Sequence, residues 1–298
     1  MTPFVVTHPA CLLHDPGQGH PETPERLRAV LGKVRNARYG VREAPAATVD
    51  ALQGVHPDSH AVDSQAMSLR GGGMVGQDTV LDRSSYAAAL GGIGAILAAV
   101  EHAVTGRGHS FALVRPPGHH ALHERAMGFC LFANAVIAAR QAQRLGRERI
   151  LIIDWDVHHG NGTQALIEAD PTISYVSMHQ WPWYPGTGAA DERGIGNVFN
   201  LPREAGLPAE RYLADLWSGI EEAGAYAPPD LIVLSAGYDS MRGDPLGGFT
   251  LEPEHFATLT TRVRARFPDA PIVGVMEGGY APSRLADGVV ATLGAMGD

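Results

Sequence analysis

Ile150-Leu151-Ile152-Ile153-Asp154-Trp155-Asp156-Val157-His158-His159-Gly160-Asn161-Gly162 decides how this chain is read. The aliphatic run Ile150 to Ile153, bounded by charge, predicts a buried strand. It leads into Asp154, Asp156 and His158, spaced two apart. In extended backbone, alternate side chains share a face, so these three polar groups are expected on one side. Gathering two carboxylates and an imidazole in an interior is costly unless a cation or hydrogen bonds compensate them. An Asp-x-His pair at a buried strand end therefore points to a divalent metal. Taken alone, the segment also reads as a helix N-cap with a neighbouring histidine.

Further short runs rich in Ile, Val and Leu lie at Phe111 to Val114, Ile173 to Met178, Leu231 to Leu234 and Ile272 to Met276. Segments of helical length separate them: about Ser84 to Val104, Phe129 to Leu145, Asn161 to Glu168, Pro208 to Tyr226, Glu254 to Phe267 and Ser283 to Leu293. Strands joined by long helical crossovers predict an α/β fold with a mainly parallel sheet. An opening helix is expected from Pro24 to about Val34, with Thr23 as N-cap and Pro24 at its first position. Gly71-Gly72-Gly73 reads as loop, and Ser177 to Phe199, rich in aromatic and turn residues, reads as a long functional loop. No Gly/Ser linker or repeat divides the sequence, so residues 1–298 are expected to form a single domain.

Of the 298 residues, 45% are hydrophobic and 18% charged, enough for a large core. A formal net charge of −9 argues against general nucleic-acid binding, which needs a basic face. Cys11 and Cys130 make neither a disulfide framework nor a CxxC pattern, in keeping with a reducing compartment. The N-terminus lacks the pattern of a signal peptide. Apolar stretches are interrupted by Gly, His or charge before the ~18 residues of a membrane span. A cytoplasmic protein with no membrane partner is expected.

Polar motifs follow the apolar runs. Ligands of parallel sheets bind beyond the carboxyl ends of the strands, so these motifs should meet at one rim. Asp156 and His158 supply two metal ligands, and Asp239, just after another buried run, is the natural third. Such a donor set suits zinc, and also iron(II), cobalt(II) or manganese(II). His119-His120 after a Pro-Pro-Gly turn are candidates for proton transfer near neutral pH. Asp154 could hold the Nδ1–H of one histidine, and Asn161 that of the other. Gly278-Gly279-Tyr280 puts a phenol on a flexible turn, suited to an oxyanion opposite the metal. Each of these motifs alone has an ordinary loop reading, and their combination carries the argument.

HPETPERL (His20 to Leu27), RPPGHH (Arg115 to His120), MGFC (Met127 to Cys130), DWDVHHGNGTQ (Asp154 to Gln164), PGTG (Pro185 to Gly188), SAGYDS (Ser235 to Ser240) and EGGY (Glu277 to Tyr280) occur in this order. The set resembles the zinc-dependent histone deacetylase family, closest to its class II branch and the bacterial deacetylase-like amidohydrolases. The resemblance runs from about Thr7 to Ala286. It implies a three-layer α/β/α sandwich with a mainly parallel eight-stranded sheet, the arginase/deacetylase fold. It implies one zinc on Asp156, His158 and Asp239, with His119 paired to Asp154, His120 as general base beside Asn161, and Tyr280 as the catalytic tyrosine. Gly128, Phe129 and Tyr184 match the channel around the acyl-lysine stem. A structural potassium ion is implied near the carbonyls of Asp154, Asp156, His158 and Met178 and the Ser177 side chain. Asp78 matches loosely the rim aspartate that holds substrate backbone.

The implied reaction is metal-assisted hydrolysis of a short acyl amide on lysine, in a protein, a peptide or a small acylated amine. An acetylpolyamine amidohydrolase of the same fold is the first alternative. Polyamine-selective relatives of class II carry a gatekeeper glutamate where this chain has Leu246, after Asp244-Pro245. An arginase-like binuclear manganese hydrolase would need bridging carboxylates that Gly160-Asn161-Gly162 does not supply. A silent acyl-lysine binding module is disfavoured by Tyr280 and both histidines. The oligomeric state is left open.

Overall fold

The computed structural model describes residues 2–297. Its strands are β1 (Phe4–Thr7), β2 (Val41–Glu43), β3 (Gly72–Val75), β4 (Thr79–Asp82), β5 (Ser110–Ala112), β6 (Ile150–Asp154), β7 (Ile173–Gln180), β8 (Val198–Arg203), β9 (Leu231–Ala236) and β10 (Ile272–Met276). The α-helices are α1 (Pro24–Asn36), α2 (Asp58–Leu69), α3 (Ser85–Val104), α4 (Asn134–Arg144), α5 (Asn161–Ile167), α6 (Ala209–Tyr226), α7 (Pro253–Arg266) and α8 (Pro282–Gly297).

Eight strands form one sheet in the order β2-β1-β5-β10-β9-β6-β7-β8. Every pairing in it is parallel. The central strands β5, β10, β9 and β6 are buried along their whole length, as expected of strands covered on both faces. One layer of helices is α3, α4 and α5; the other runs α1, α8, α7 and α6. The three-layer α/β fold expected from the strand–helix alternation is therefore present. Because the sheet is parallel, the segments leaving β5, β10, β9 and β6 emerge side by side at one rim. Strands far apart in sequence become neighbours there.

Several local expectations need correction. The helix expected from Phe129 begins at Asn134, because Gly128 and Phe129 take positive φ (57° and 66°) and turn the chain away from helical geometry. Gly72 and Gly73 open a β-hairpin, β3–β4, rather than a loop. The expected loop from Ser177 is shorter, since β7 runs to Gln180 and β8 begins at Val198. Thr23 stands at the N-cap of α1, but its side chain makes no capping hydrogen bond.

Helix α3 alone among the described helices has the length and mean hydropathy (1.6) to cross a membrane, contrary to the reading of interrupted apolar stretches. Its position explains the composition. Ala88, Ile93, Ile96, Ala99 and Val100 are wholly buried, and α3 packs against β1 and β5.

Candidate active site and metal centre

Strand β6 ends at Asp154, so strand alternation does not bring Asp156 and His158 beside it. Side chain to backbone bonds do. Asp154 Oδ1 accepts the Asp156 N–H at 3.1 Å, and Asp156 Oδ1 accepts that of His158 at 3.0 Å. Each carboxylate thus caps the residue two ahead and folds the chain into a tight descent. From β9, Asp239 reaches the same place, where its Oδ1 accepts the Val157 N–H at 2.7 Å.

His158 Nδ1 then lies 3.0 Å from Asp156 Oδ1 and 3.2 Å from Asp239 Oδ2. One ligand atom from each of these buried residues falls within 4.8 Å of the others. Asp239 Oδ2 is buried and, apart from its ion-pair contact with His158 Nδ1, has no hydrogen-bond partner among the described residues. Burial and the nearby Asp156 carboxylate raise the Asp239 carboxyl to about 7. A buried carboxylate oxygen facing a second carboxylate and an imidazole is the donor set a divalent cation fits. Gly278 completes the centre by having no side chain. A Cβ there would lie 2.2 Å from Asp239 Oδ2 and 2.4 Å from Asp156 Oδ2.

The tandem histidines leave β5 on the turn Arg115 to Gly118. His119 Nδ1 is 3.1 Å from Asp154 Oδ2, which also accepts the Tyr175 hydroxyl at 3.0 Å. Burial opposes charge on His119, but Asp156 and Asp154 outweigh it and raise the imidazole to about 10. His120 stands 4.0 Å from it, ring to ring, with Nδ1 2.8 Å from Asn161 Oδ1. Since that oxygen only accepts, His120 carries its proton on Nδ1 and keeps the Nε2 lone pair free. Burial, then the neighbouring imidazoles, holds His120 well below the usual histidine range. The two histidines differ because one faces a carboxylate and the other an amide.

Tyr280 closes the site from β10. Its turn is anchored rather than flexible. Asp244 Oδ2 accepts the backbone N–H groups of Tyr280 (2.6 Å) and Ala281 (3.2 Å), and Asp156 Oδ2 accepts that of Gly278 at 2.9 Å. Arg26 donates to Gly279 O (2.6 Å) and Glu277 O (2.5 Å), and its guanidinium lies 4.8 Å from the Tyr280 ring centroid.

Above these groups is a cavity of about 220 Å³ lined by Phe129, Tyr184, Tyr280 and Leu246, with His120 and His158 at its floor. Gly128 adjoins it, and a Cβ there would strike the His120 ring at 2.3 Å. Gly128, Phe129, Tyr184 and Leu246 thus all lie along this cavity. Asp78 joins them, beside the Tyr184 hydroxyl at 2.8 Å. Ser177 and Met178 are buried on β7, with Ser177 paired in register to Asp154; the Ser177 hydroxyl meets His179 Nδ1 at 2.9 Å.

Sequence reasoning missed the polar scaffold beneath the site. Glu22 Oε1 accepts from Arg26 (2.8 Å) and Arg115 (2.5 Å), and its Oε2 from Arg115 at 2.6 Å, all fully buried. Glu277 Oε2 accepts the N–H groups of Gly118 (2.5 Å) and His119 (3.2 Å), tying the end of β10 to the histidine turn. The charged residues inside HPETPER, RPPGHH and EGGY were the available signal. A fully buried charge needs a partner, and each motif carries one.

Comparison with known proteins agrees with this arrangement. The family model described as the histone deacetylase domain matches residues 20–296. The histone deacetylase-like amidohydrolase of Pseudomonas aeruginosa is 37% identical over 277 residues, covering 88% of this chain and 73% of that protein. Among solved structures, the HD domain of HDA15 superposes with a TM-score of 0.93 at 34% identity, covering 98% of this chain and 90% of the other. The acetylpolyamine aminohydrolase of Burkholderia pseudomallei superposes with a TM-score of 0.90 at 26% identity, covering 99% and 98%. The motifs that meet at the rim thus sit within a match spanning nearly the whole chain, and the protein belongs to the histone deacetylase family, whose members include amidohydrolases.

Proposed function

We propose that this protein is a zinc-dependent deacylase that removes acetyl or other short acyl groups from lysine side chains. The observation that carries the reading is the buried Asp239 oxygen grouped with Asp156 and His158 at the base of an aromatic channel, with His120 beside them and Tyr280 in its lining. Asp156, His158 and Asp239 would hold the metal, which when bound polarises the acyl carbonyl and lowers the pKa of water.

Phe129 and Tyr184 grip the lysine stem and exclude bulk water from the acyl end. His120 accepts the proton of the attacking water at Nε2, while Asn161 fixes its tautomer, and then returns a proton to the departing amine. Tyr280 donates its O–H to the oxygen that gains charge at the acyl carbon. Its phenol stays protonated, because burial keeps its pKa well above the usual value, although Arg26 works against this. His119, oriented by Asp154, faces the same centre. A potassium ion near Asp154, Asp156, His158, Met178 and the Ser177 hydroxyl belongs to the proposal through the resemblance. So do residues 1–298 as one catalytic domain and a cytoplasmic location, the latter in keeping with the buried free thiols of Cys11 and Cys130.

An acetylpolyamine substrate is the second reading, favoured by the likeness to the Burkholderia enzyme. Leu246 speaks against it. It lines the cavity with an apolar side chain and offers a second ammonium no partner. The deciding experiment is a panel of acetyl-, trifluoroacetyl- and longer acyl-lysine peptides beside acetylated polyamines, assayed on the purified zinc form. Acyl-lysine peptides should give the higher kcat/KM. A strong preference for acetylpolyamines would make the second reading the leading one.

A further inference from the structure

The turn of the β3–β4 hairpin ends at Asp78, which lines the channel cavity. Both carboxylate oxygens of Asp78 are engaged by the protein. Oδ1 accepts the Gly128 N–H at 3.0 Å and the Thr79 hydroxyl at 2.9 Å, and Oδ2 accepts the Tyr184 hydroxyl at 2.8 Å. Thr79 in turn accepts the Phe129 N–H through Oγ1 at 3.1 Å. The two residues held this way, Phe129 and Tyr184, are both aromatic lining of the channel.

The other contacts on these walls are ring to ring: Phe129 meets His20 (4.6 Å between centroids) and Tyr280 (5.8 Å), and Tyr184 meets His120 (5.0 Å) and His158 (6.0 Å). Gly128 and Phe129 both sit at positive φ, a conformation costly for a phenylalanine unless its surroundings impose it. Tyr184 is 37% exposed. A carboxylate offers about four acceptor positions, and three here are occupied by groups of the protein itself.

We propose that Asp78 is a positioning residue: it straps the Gly128–Phe129 turn to Tyr184 and so sets the width of the acyl-lysine channel, instead of serving chiefly to hold a substrate's peptide backbone. The strap acts on every substrate that threads the channel, whether or not it carries backbone amides. Its kinetic consequence rests on the deacylase reading above. The strap itself does not.

Two variants and two measurements test it. Tyr184→Phe removes one oxygen and leaves the ring; Asp78→Ala removes the whole strap. Amide hydrogen exchange in the ligand-free protein should speed up by about tenfold or more at Gly128 and Phe129 in Asp78→Ala. Unchanged exchange there overturns the strap, whatever the protein hydrolyses. In turnover, an acetyl-lysine peptide is compared with N-acetylbutylamine, which has no backbone amide beyond the scissile one. Asp78→Ala should raise KM by about tenfold for both, and Tyr184→Phe by a few-fold for both, the scale of losing one or more hydrogen bonds to a charged group. A KM penalty confined to the peptide would show that Asp78 serves substrate backbone and would overturn the proposal. If the wild type hydrolyses neither compound, the deacylase reading fails, and the exchange measurement still decides the strap.

Discussion

Replacing Tyr280 by Phe isolates one oxygen atom in the proposed reaction. The ring is held by edge packing on Phe129, 5.8 Å between centroids, and by the Arg26 guanidinium at 4.8 Å. The backbone is held by Asp244 and, one residue earlier, by Arg26. None of these contacts uses the phenol oxygen, so the variant should keep the fold, and its stability should change by no more than about 0.5 kcal/mol. The rate has no such protection. Removing one donor to a developing oxyanion costs about 2.7–4 kcal/mol of barrier, or roughly 10²–10³-fold in kcat. The assay is steady-state deacetylation of an acetyl-lysine peptide, with zinc content matched between variant and wild type and KM measured separately. The loss should fall on kcat, with KM changed little. Equal turnover would show that Tyr280 is part of the channel wall only.

Other expectations follow from the same geometry. Asp239→Ala removes one of three proposed ligands and should weaken zinc affinity by more than about 100-fold, beyond the range for an outer partner, as read by competition with a chelator. Glu22→Gln leaves two buried guanidinium groups short of a counter-charge and should cost about 3–5 kcal/mol in denaturant unfolding. Burial works against the Glu22 charge, but Arg115, His14 and Arg26 hold its carboxyl well below the ordinary glutamate value of 4.5. The unfolded chain therefore binds the proton first, so wild-type stability should fall as pH drops below about 4.5, and the variant should lack that part of the loss. Leu246→Glu should shift the kcat/KM ratio toward acetylpolyamines by roughly tenfold, about 1.4 kcal/mol for one added charge pair at the rim. An unchanged ratio would show that Leu246 is not the gate.

Much of this was legible in the sequence because it is local. Ile150 to Ile153 is a uniform aliphatic run and Ile272 to Met276 an apolar run broken only by Gly274, and their strands fall within a residue of where the runs lie. Asp156, His158 and Asp239 each follow such a run, and the parallel sheet brings the run ends together. The edge strands β2 and β8 were not legible, since Val41–Glu43 and Val198–Arg203 are short and partly exposed, with no clear pattern. Nor was the rigidity of the Gly278-Gly279 turn. Paired glycines look flexible in one dimension, yet here Gly278 is required by two carboxylates arriving from β6 and β9. The scaffold of Glu22, Arg26 and Arg115 hid for the same reason, because Glu22 and Arg115 are 93 positions apart. Long-range polar pairing leaves only a suspicion in sequence, a charge in an otherwise apolar motif.

That a single metal ion at Asp156, His158 and Asp239 makes this site a deacylase is the proposal on which the chemistry rests. Its most direct test is a zinc titration of chelator-stripped protein, with acetate release from an acetyl-lysine peptide measured at each addition. Stripped protein should show no turnover, and activity should rise linearly to a plateau at one equivalent per chain. Turnover that persists without metal, or a fully loaded protein that releases no acetate, would contradict it.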